Sequence, residues 1–592
     1  MGGGVCHEQT KRSHDAGEAT SPSGNPHRVL ETVSISHGGY RRSDASVSQE
    51  NERKGRVSVK RWWPLVPLAA AQFLMVLDQS VMNVSISQLV EDFDTTVTTI
   101  QGVITLYCLV MAMFMMTGGK IGDIIGHRSA FVVGLVVYGS GSALTALAPT
   151  VTILAIGWSV LEGLGAALVL PAMAALIAGN FEGPQRRTAY AVIGGVAGAG
   201  IAIGPIVGGW ATTELSWRVV FVGEVVVVLI VLALTRFIVD AMREGTAPKL
   251  DFMGTILSAT GLGAVVLGVL QSSTWGWVAP KNSPVEPFGF SLTLFFIVGG
   301  AVLLWGFVRW ERHREAVGSD PLVHLGLLEV PPLRSGLTGL FGQNLILMGV
   351  FFSIPLYLQL VLGLDALETG VKMLPISITM LLASAAGARL SSRFTVRAIV
   401  RTGIIVTAIA IAILLVTLHP TLQETLFGIA MGALGVGMGL MVSQLGNVVQ
   451  SSVDASGRGE AGGLQFTGQQ LGSSVGVALI GAIVLSGLTG AFVSNVQQDE
   501  RITDVLASSL ETLVEGSGVD FVTADQVMSA AEDAGLDDAS VQAIVESYSD
   551  AQLLALKAGL LASAFLALGA LAFTGDLPHV PPTARLRTES ES

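Results

Sequence analysis

The chain has 592 residues, 51% hydrophobic and only 13% charged, with a mean hydropathy of +0.63. A soluble domain carries about 25% charged residues, so the composition excludes a water-soluble globular protein and points to a polytopic membrane protein. The formal charge of −12 is local, because residues 490–551 hold 13 Asp/Glu against one Lys/Arg while the rest holds 32 of each sign; the charge balance gives no reason to expect a nucleic-acid partner.

Residues 1–62 are polar, rich in Gly, Ser, His and Arg, and lack helical periodicity. They read as a disordered cytoplasmic tail ending in a basic cluster, Arg53 to Arg61. Its histidines (His7, His14, His27, His37) are irregularly spaced and make no metal site. Two cysteines, Cys6 and Cys108, offer neither a disulfide framework nor a metal cluster. The first apolar run starts near residue 63, too far in for a secretory signal peptide.

Fourteen spans follow, at about 63–88, 98–117, 129–148, 151–178, 188–211, 217–238, 252–271, 288–309, 335–360, 367–387, 398–418, 425–448, 460–488 and 552–573. About 20 apolar residues at about 1.5 Å rise cross the ~30 Å of a bilayer core. A β-barrel is excluded, since its strands alternate and run about 10 residues. With the N-terminus inside, 28 of the 33 Lys/Arg fall in inner segments. The outer side holds only Arg218, Lys281, Lys372, Arg501 and Lys557. The excess of positive charge inside therefore places both termini in the cytoplasm.

Between spans 2 and 3 lies Gly118-Gly-Lys-Ile-Gly-Asp-Ile-Ile-Gly-His-Arg128, a charged, glycine-rich stretch expected to be a tight hairpin at the inner face. Gly387-Ala-Arg-Leu-Ser-Ser-Arg-Phe-Thr-Val-Arg397 echoes it. Arg389 falls where Lys120 is, Arg397 where Arg128 is, and Ser392 replaces Asp123. The echo suggests two related bundles, a plan common in secondary transporters. The acidic segment 489–551 falls outside the membrane. Thr523-Ala-Asp-Gln526 reads as a capping box, and Asp537 or Asp538 could cap a second helix to about Ser549. The segment is either a small helical cap or, more simply, a solvated insertion.

These residues resemble the major facilitator superfamily, and within it the fourteen-span drug:proton antiporters of the EmrB/QacA type. Gly119-Lys-Ile-Gly122-Asp123-Ile-Ile-Gly126-His-Arg128 is similar to the motif between the second and third helices. Leu77-Asp78-Gln-Ser-Val-Met-Asn83-Val-Ser-Ile86 resembles the first-helix motif. Gly200-Ile-Ala-Ile-Gly204-Pro205-Ile-Val-Gly208-Gly209 resembles the fifth-helix motif associated with antiporters. Ser216-Trp217-Arg218, Leu250-Asp251-Phe-Met-Gly254, Gly457-Arg458-Gly-Glu-Ala-Gly462 and the run Pro355 to Gly363 also fit. The chain departs from the family in the fourth helix, where Ser159-Val-Leu-Glu162-Gly163 stands for Arg-x-x-Gln-Gly. It departs again in the sixth, where Glu224-Val-Val226 stands for Asn-Val-Pro, and at Gly102, where the second helix usually has Trp.

An ionisable residue at mid-membrane costs at least about 2.5–3.5 kcal/mol, which makes it a functional candidate. By helix rise, Asp78 lies about 15 Å deep, Glu162 about 16 Å and Glu224 about 10 Å. Asp78 and Glu162 are expected to be the main proton- and substrate-coupling pair, with Glu224 a third member. Asn83, Tyr107, Gln343, Asn344, Gln465 and Gln469 (with Gln470 beside them) are candidates to line a cavity, or else hydrogen-bond helices together. The Met cluster Met111 to Met116 reads as packing. Gly200, Gly204 and Gly208 form a small-residue face that, with Pro205, should kink span 5 and pack it against a partner helix. Gly119, Gly122, Asp123, Gly126 and Arg128 form a gating motif, in which Asp123 and Arg128 are expected to act as a charged latch.

The expected fold is an all-α polytopic major facilitator fold, fourteen transmembrane helices in two six-helix bundles plus two linking helices. The segments are a bundle at 63–240, linking helices at 250–310, helices 9–13 at 333–488, the acidic loop 489–551, helix 14 at 552–574 and a cytoplasmic tail at 575–592. No nucleotide-binding loop is present, so an ion gradient is the expected energy source, with no cofactor and no enzymatic activity. The expected function is proton-coupled export of amphipathic or cationic small molecules across the cell membrane by alternating access. Export of one endogenous metabolite or lipid is the alternative, and proton symport for uptake a further one.

Overall fold

The computed structural model describes residues 62–579 apart from 182, 239–248, 454–457, 500, 504–505 and 511–520. The polar tail with its basic cluster and four histidines, Gly457 of the Gly457–Gly462 motif, and the end of the chain from 580 lie outside the described residues. Among the described residues the secondary structure is helical, and fourteen helices are long and apolar enough to cross a membrane.

The first six are α1 (Leu65–Val84), α2 (Val97–Ile125), α3 (His127–Ala146), α4 (Val151–Leu154, Ala155–Glu162 and Gly163–Asn180), α5 (Gly183–Glu214) and α6 (Arg218–Leu234). Two follow as a pair, α7 (Phe252–Trp275) and α8 (Leu292–Ala316). The last six are α9 (Pro331–Leu356), α10 (Ala366–Leu390), α11 (Val396–Thr417), α12 (Glu424–Ser451), α13 (Arg458–Gln498) and α14 (Asp538–Ala570). Polar residues start many of them by accepting an otherwise unpaired N–H: Thr96 for α2, Thr150 for α4, Asp251 for α7, Asp365 for α10, Thr395 for α11 and Asp537 for α14.

Two boundaries differ from the sequence reading, for physical reasons. The hairpin expected over 118–128 is reduced to a single residue. Helix α2 continues through Lys120 and Asp123 to Ile125, and α3 begins at His127. Gly126, at φ 93°, makes the whole turn, a conformation open to glycine and strained for other residues. The charged residues continue the helix because their side chains reach beyond it to water and to polar neighbours. On the opposite end, α13 and α14 extend far past their apolar stretches, to Gln498 and from Asp538. The capping box at Thr523 is present and starts the helix Ala524–Asp533. The second helix expected to stop near Ser549 is the start of α14 itself. Tyr548 anchors these extensions: it is buried, its ring meets Phe492 at 5.8 Å, and its hydroxyl accepts from Val522 N at 2.8 Å. The segment is thus a folded helical cap where described.

Helices α1 to α6 pack on one another as one bundle, and α9 to α14 as a second. The bundles meet along α2 with α13 and along α5 with α10. Gln101 on α2 donates to Val477 O at 2.9 Å, and Ser474 on α13 donates to Thr105 O at 3.1 Å. Where α5 meets α10, Gly209 lies on the Ala366 carbonyl and Gly370 on the Pro205 carbonyl, so each backbone fills the space a Cβ would need. The pair α7–α8 attaches through α7, which lies against both α2 and α13.

Candidate functional site

The three acids that the sequence singled out converge. Asp78 on α1, Glu162 on α4 and Glu224 on α6 are 1%, 0% and 2% exposed, and one carboxylate oxygen from each lies within 4.8 Å of the other two. The site is inside the first bundle, walled by α2 and α3.

Local geometry explains how the chain delivers them. Residues Ala155–Glu162 of α4 are wound as a π-helix, which ends at Glu162. The wider turn adds a residue to the helix and changes which side chains face the bundle axis. Trp158 and Glu162 both come to face inward. Trp158 Nε1 donates to Asp78 Oδ1 at 2.9 Å and Oδ2 at 3.1 Å. The Tyr107 ring stacks on the Trp158 ring, centroids 4.7 Å apart and planes 7° from parallel. On α3, Gly141 makes room for the acid: a Cβ there would lie 2.6 Å from Glu162 Cγ. The next residue, Ser142, donates to Glu224 Oε2 at 3.0 Å.

The site leaves several polar atoms unpaired. Both oxygens of Glu162, Oε1 of Glu224 and the hydroxyls of Tyr107 and Tyr138 are buried without a hydrogen-bond partner. Those hydroxyls neighbour the carboxylates, Tyr107 beside Asp78 and Tyr138 beside all three, but stand outside hydrogen-bond geometry. Among the described residues no Lys, Arg or His forms an ion pair with any of the three acids. Three carboxylates so close cannot all carry charge unscreened, so charge balance calls for shared protons or a bound cation.

The other candidates divide. Tyr107 belongs to the site. The Asn83 side chain lies outside the described residues. Gln343 donates to Met438 O at 3.4 Å and joins α9 to α12, and Asn344 bonds its own helix at Leu340 O. Gln465 accepts from Gln450 at 3.4 Å, which ties α13 to α12. Gln469 is half-buried on α13, and its neighbour Gln470 accepts from Gln79 of α1 at 3.3 Å, across the bundle interface. The glycine face of α5 packs on α1: Gly200 faces Val76, Gly204 faces Ser80 and Gly208 faces Val81, the residues flanking Asp78. In the gating motif, Gly119 faces Pro171 of α4 and Gly122 faces the His127 ring. Asp123 lies 3.5 Å from His127, so within the motif the described side-chain contact of the acid is with the histidine rather than with Arg128.

Sequence reasoning missed Trp158, Tyr138, Ser142 and the π-helical winding. A signal existed: Tyr138 and Ser142 sit four apart on one face of α3, and Trp158 precedes Glu162 by four, at spacings that place polar tips beside a buried acid.

The family model of the Major Facilitator Superfamily matches residues 68–477. The chain belongs to that superfamily. It is 32% identical to the puromycin resistance protein pur8 of Streptomyces alboniger, over 74% of this chain and 84% of that one. It is 28% identical to the tetracenomycin C resistance and export protein of Streptomyces glaucescens, over 73% and 78% of the two chains. To the multidrug efflux pump LfrA of Mycolicibacterium smegmatis it is 29% identical, over 76% and 85%. Among solved structures, an inward-facing, unoccupied bacterial homolog of the human lysosomal transporter Spinster superposes with a TM-score of 0.57. That match is 14% identical and covers 88% of this chain and 98% of the other, a likeness of fold. In this major facilitator protein, the acids at Glu162 and Glu224 stand inside the first bundle on the helices where the sequence departs from the family motifs.

Proposed function

We propose that this protein is a proton-coupled exporter of amphipathic or cationic small molecules in the plasma membrane, with both termini cytoplasmic. The convergence of Asp78, Glu162 and Glu224 within 4.8 Å carries the reading. The cluster is loaded with protons when no substrate is bound, and the entry of a cationic group or a change of access releases them. Because the carboxylates sit at the packing centre of α1, α4 and α6, a change in their charge acts directly on the helices of the first bundle. Those helices then shift against the second bundle at the α2–α13 and α5–α10 contacts, which is alternating access. The 28-to-5 distribution of basic residues supports the orientation. The relatives named as resistance and export proteins support the direction of transport.

The relatives' names also favour a narrower variant, export of one compound, since pur8 and the tetracenomycin protein are named for single antibiotics. A susceptibility panel of lipophilic cations and antibiotics, with and without the gene, tests both readings when repeated with a proton uncoupler. Resistance to several cationic compounds that the uncoupler abolishes is the expected result. Resistance confined to one compound supports the narrower variant, and resistance that survives the uncoupler overturns proton coupling.

A further inference from the structure

Glu311 is a buried carboxylate outside the triad, and proton exchange there makes no use of it. It lies on α8, is 0% exposed, and its Oε2 accepts from two consecutive backbone N–H groups, Leu322 at 2.8 Å and Val323 at 3.3 Å. Its Oε1 has no partner and lies against Gly254 of α7. One turn on, Glu315 accepts from Leu325 N at 2.6 Å, and Arg314 donates to Asp320 O at 2.7 Å. Helix α8 therefore grips residues 320–325 by their backbone, with four hydrogen bonds to charged side chains.

The same segment reaches both bundles. Lys120 of α2 donates to Pro321 O at 2.9 Å. On the other side the His324 backbone N–H donates to Glu460 at the start of α13, and its ring Nδ1 lies 3.0 Å from the same carboxylate. Between these ties Leu322 and Val323 are buried with Phe307 of α8 and packed against Met116 of α2 and Leu464 of α13. Those last three residues also line a cavity of about 340 Å³ between α2, α7, α8, α9 and α13. Lys120 precedes the Gly126 turn on the last turns of α2, so the segment it holds sits at that end of the molecule.

We propose that residues 320–325 are a strap that holds the Gly126-side ends of the two bundles together, with Glu311, Lys120 and Glu460 as its positioning residues. The linking pair α7–α8 then has a role: it is the rigid mount that fixes the strap. Charge-assisted hydrogen bonds to backbone are about twice as strong as neutral ones and are set by position rather than by side-chain identity along the strap. Opening this end requires the strap to let go of Lys120 or Glu460 while Glu311 keeps its hold.

The test is a distance measurement on the full chain between spin labels at Ser129→Cys and Ser392→Cys, with Cys6 and Cys108 replaced by Ala. Both label sites are exposed, one per bundle. Glu460→Ala and Lys120→Ala are expected to raise the population with the wider separation by about tenfold, the scale of one charge-assisted hydrogen bond. Glu460→Gln, which keeps an acceptor oxygen, is expected to restore most of the original distribution. Glu311→Ala should widen it as the first two do. If that variant does not fold, the half-buried Glu460 and Lys120 variants decide alone. Unchanged distributions in Glu460→Ala and Lys120→Ala would overturn the strap. The readout needs neither substrate nor a proton gradient, so failure of proton coupling at the triad leaves it standing.

Discussion

The indole of Trp158 donates to both oxygens of Asp78, at 2.9 and 3.1 Å, from a π-helical turn that also delivers Glu162. One helical irregularity thus fixes one acid through a donor and places the second beside it. Trp158→Phe keeps the stack on Tyr107 but removes the donor. A hydrogen bond to a charged partner contributes about 1.5–3 kcal/mol. Proton-driven efflux should fall roughly 10- to 100-fold, with expression and monodispersity close to wild type. Full activity in that variant would remove Trp158 from the site.

Gly141 is where α3 yields to Glu162. A methyl group there would sit 2.6 Å from Glu162 Cγ. Gly141→Ala should cost about 1–3 kcal/mol, the usual range for overpacking, and impair coupling. Gly299→Ala, on α8, meets nothing within 4 Å and should leave both unchanged. Thermal melting in detergent and vesicle efflux compare the two.

At the Gly126 turn, φ is 93°. Gly126→Ala should destabilise the α2–α3 hairpin by about 1–3 kcal/mol, the cost of holding a side chain in a sparsely populated positive-φ conformation. Within the same motif Asp123 contacts His127, whereas among the described residues the Ser392 hydroxyl in the echo bonds the Arg389 carbonyl of its own turn. Asp123→Asn is therefore expected to slow transport more than Ser392→Ala. Equal rates in the two variants would deny the motif its one-sided latch.

In the folded cap, Arg501 pairs with Asp499 at 2.7 Å and with Glu546 at 2.7 Å. The hydrogen bonds from Arg501 lower the Asp499 carboxyl to about 2, from an ordinary aspartate value of about 3.9. A group whose folded value is depressed stabilises the fold above its unfolded value. That contribution fades as pH falls from about 3.9 through about 2. Hydrogen-exchange protection of residues 521–552, relative to the intrinsic rate at each pH, should fall across that window in wild type and lose this step in Arg501→Ala.

Much of the architecture is legible in the sequence because a bilayer demands continuous apolar helices, and fourteen such runs stand out. The three acids are legible for the same reason, each being a solitary charge in hydrocarbon. Their meeting is not, since it depends on helix register and on the π-helical turn ending at Glu162, which no periodicity reveals. Aromatic residues such as Tyr138 and Trp158 look like packing until an acid is placed beside them. The extensions of α13 and α14 were hidden because helix in water needs no apolar run, only caps such as Asp537 and an anchor such as Tyr548. Gly126 is one glycine among several in its motif, and only the backbone angle shows that it alone makes the turn.

The most direct test of the central claim uses purified protein in proteoliposomes with an imposed pH gradient and a compound identified by the susceptibility panel. Substrate efflux and proton movement are recorded together for wild type and Glu162→Gln. The expected result is coupled flux in wild type, and in the variant downhill substrate movement that no longer responds to the gradient. Coupled flux of unchanged stoichiometry in Glu162→Gln would contradict the account.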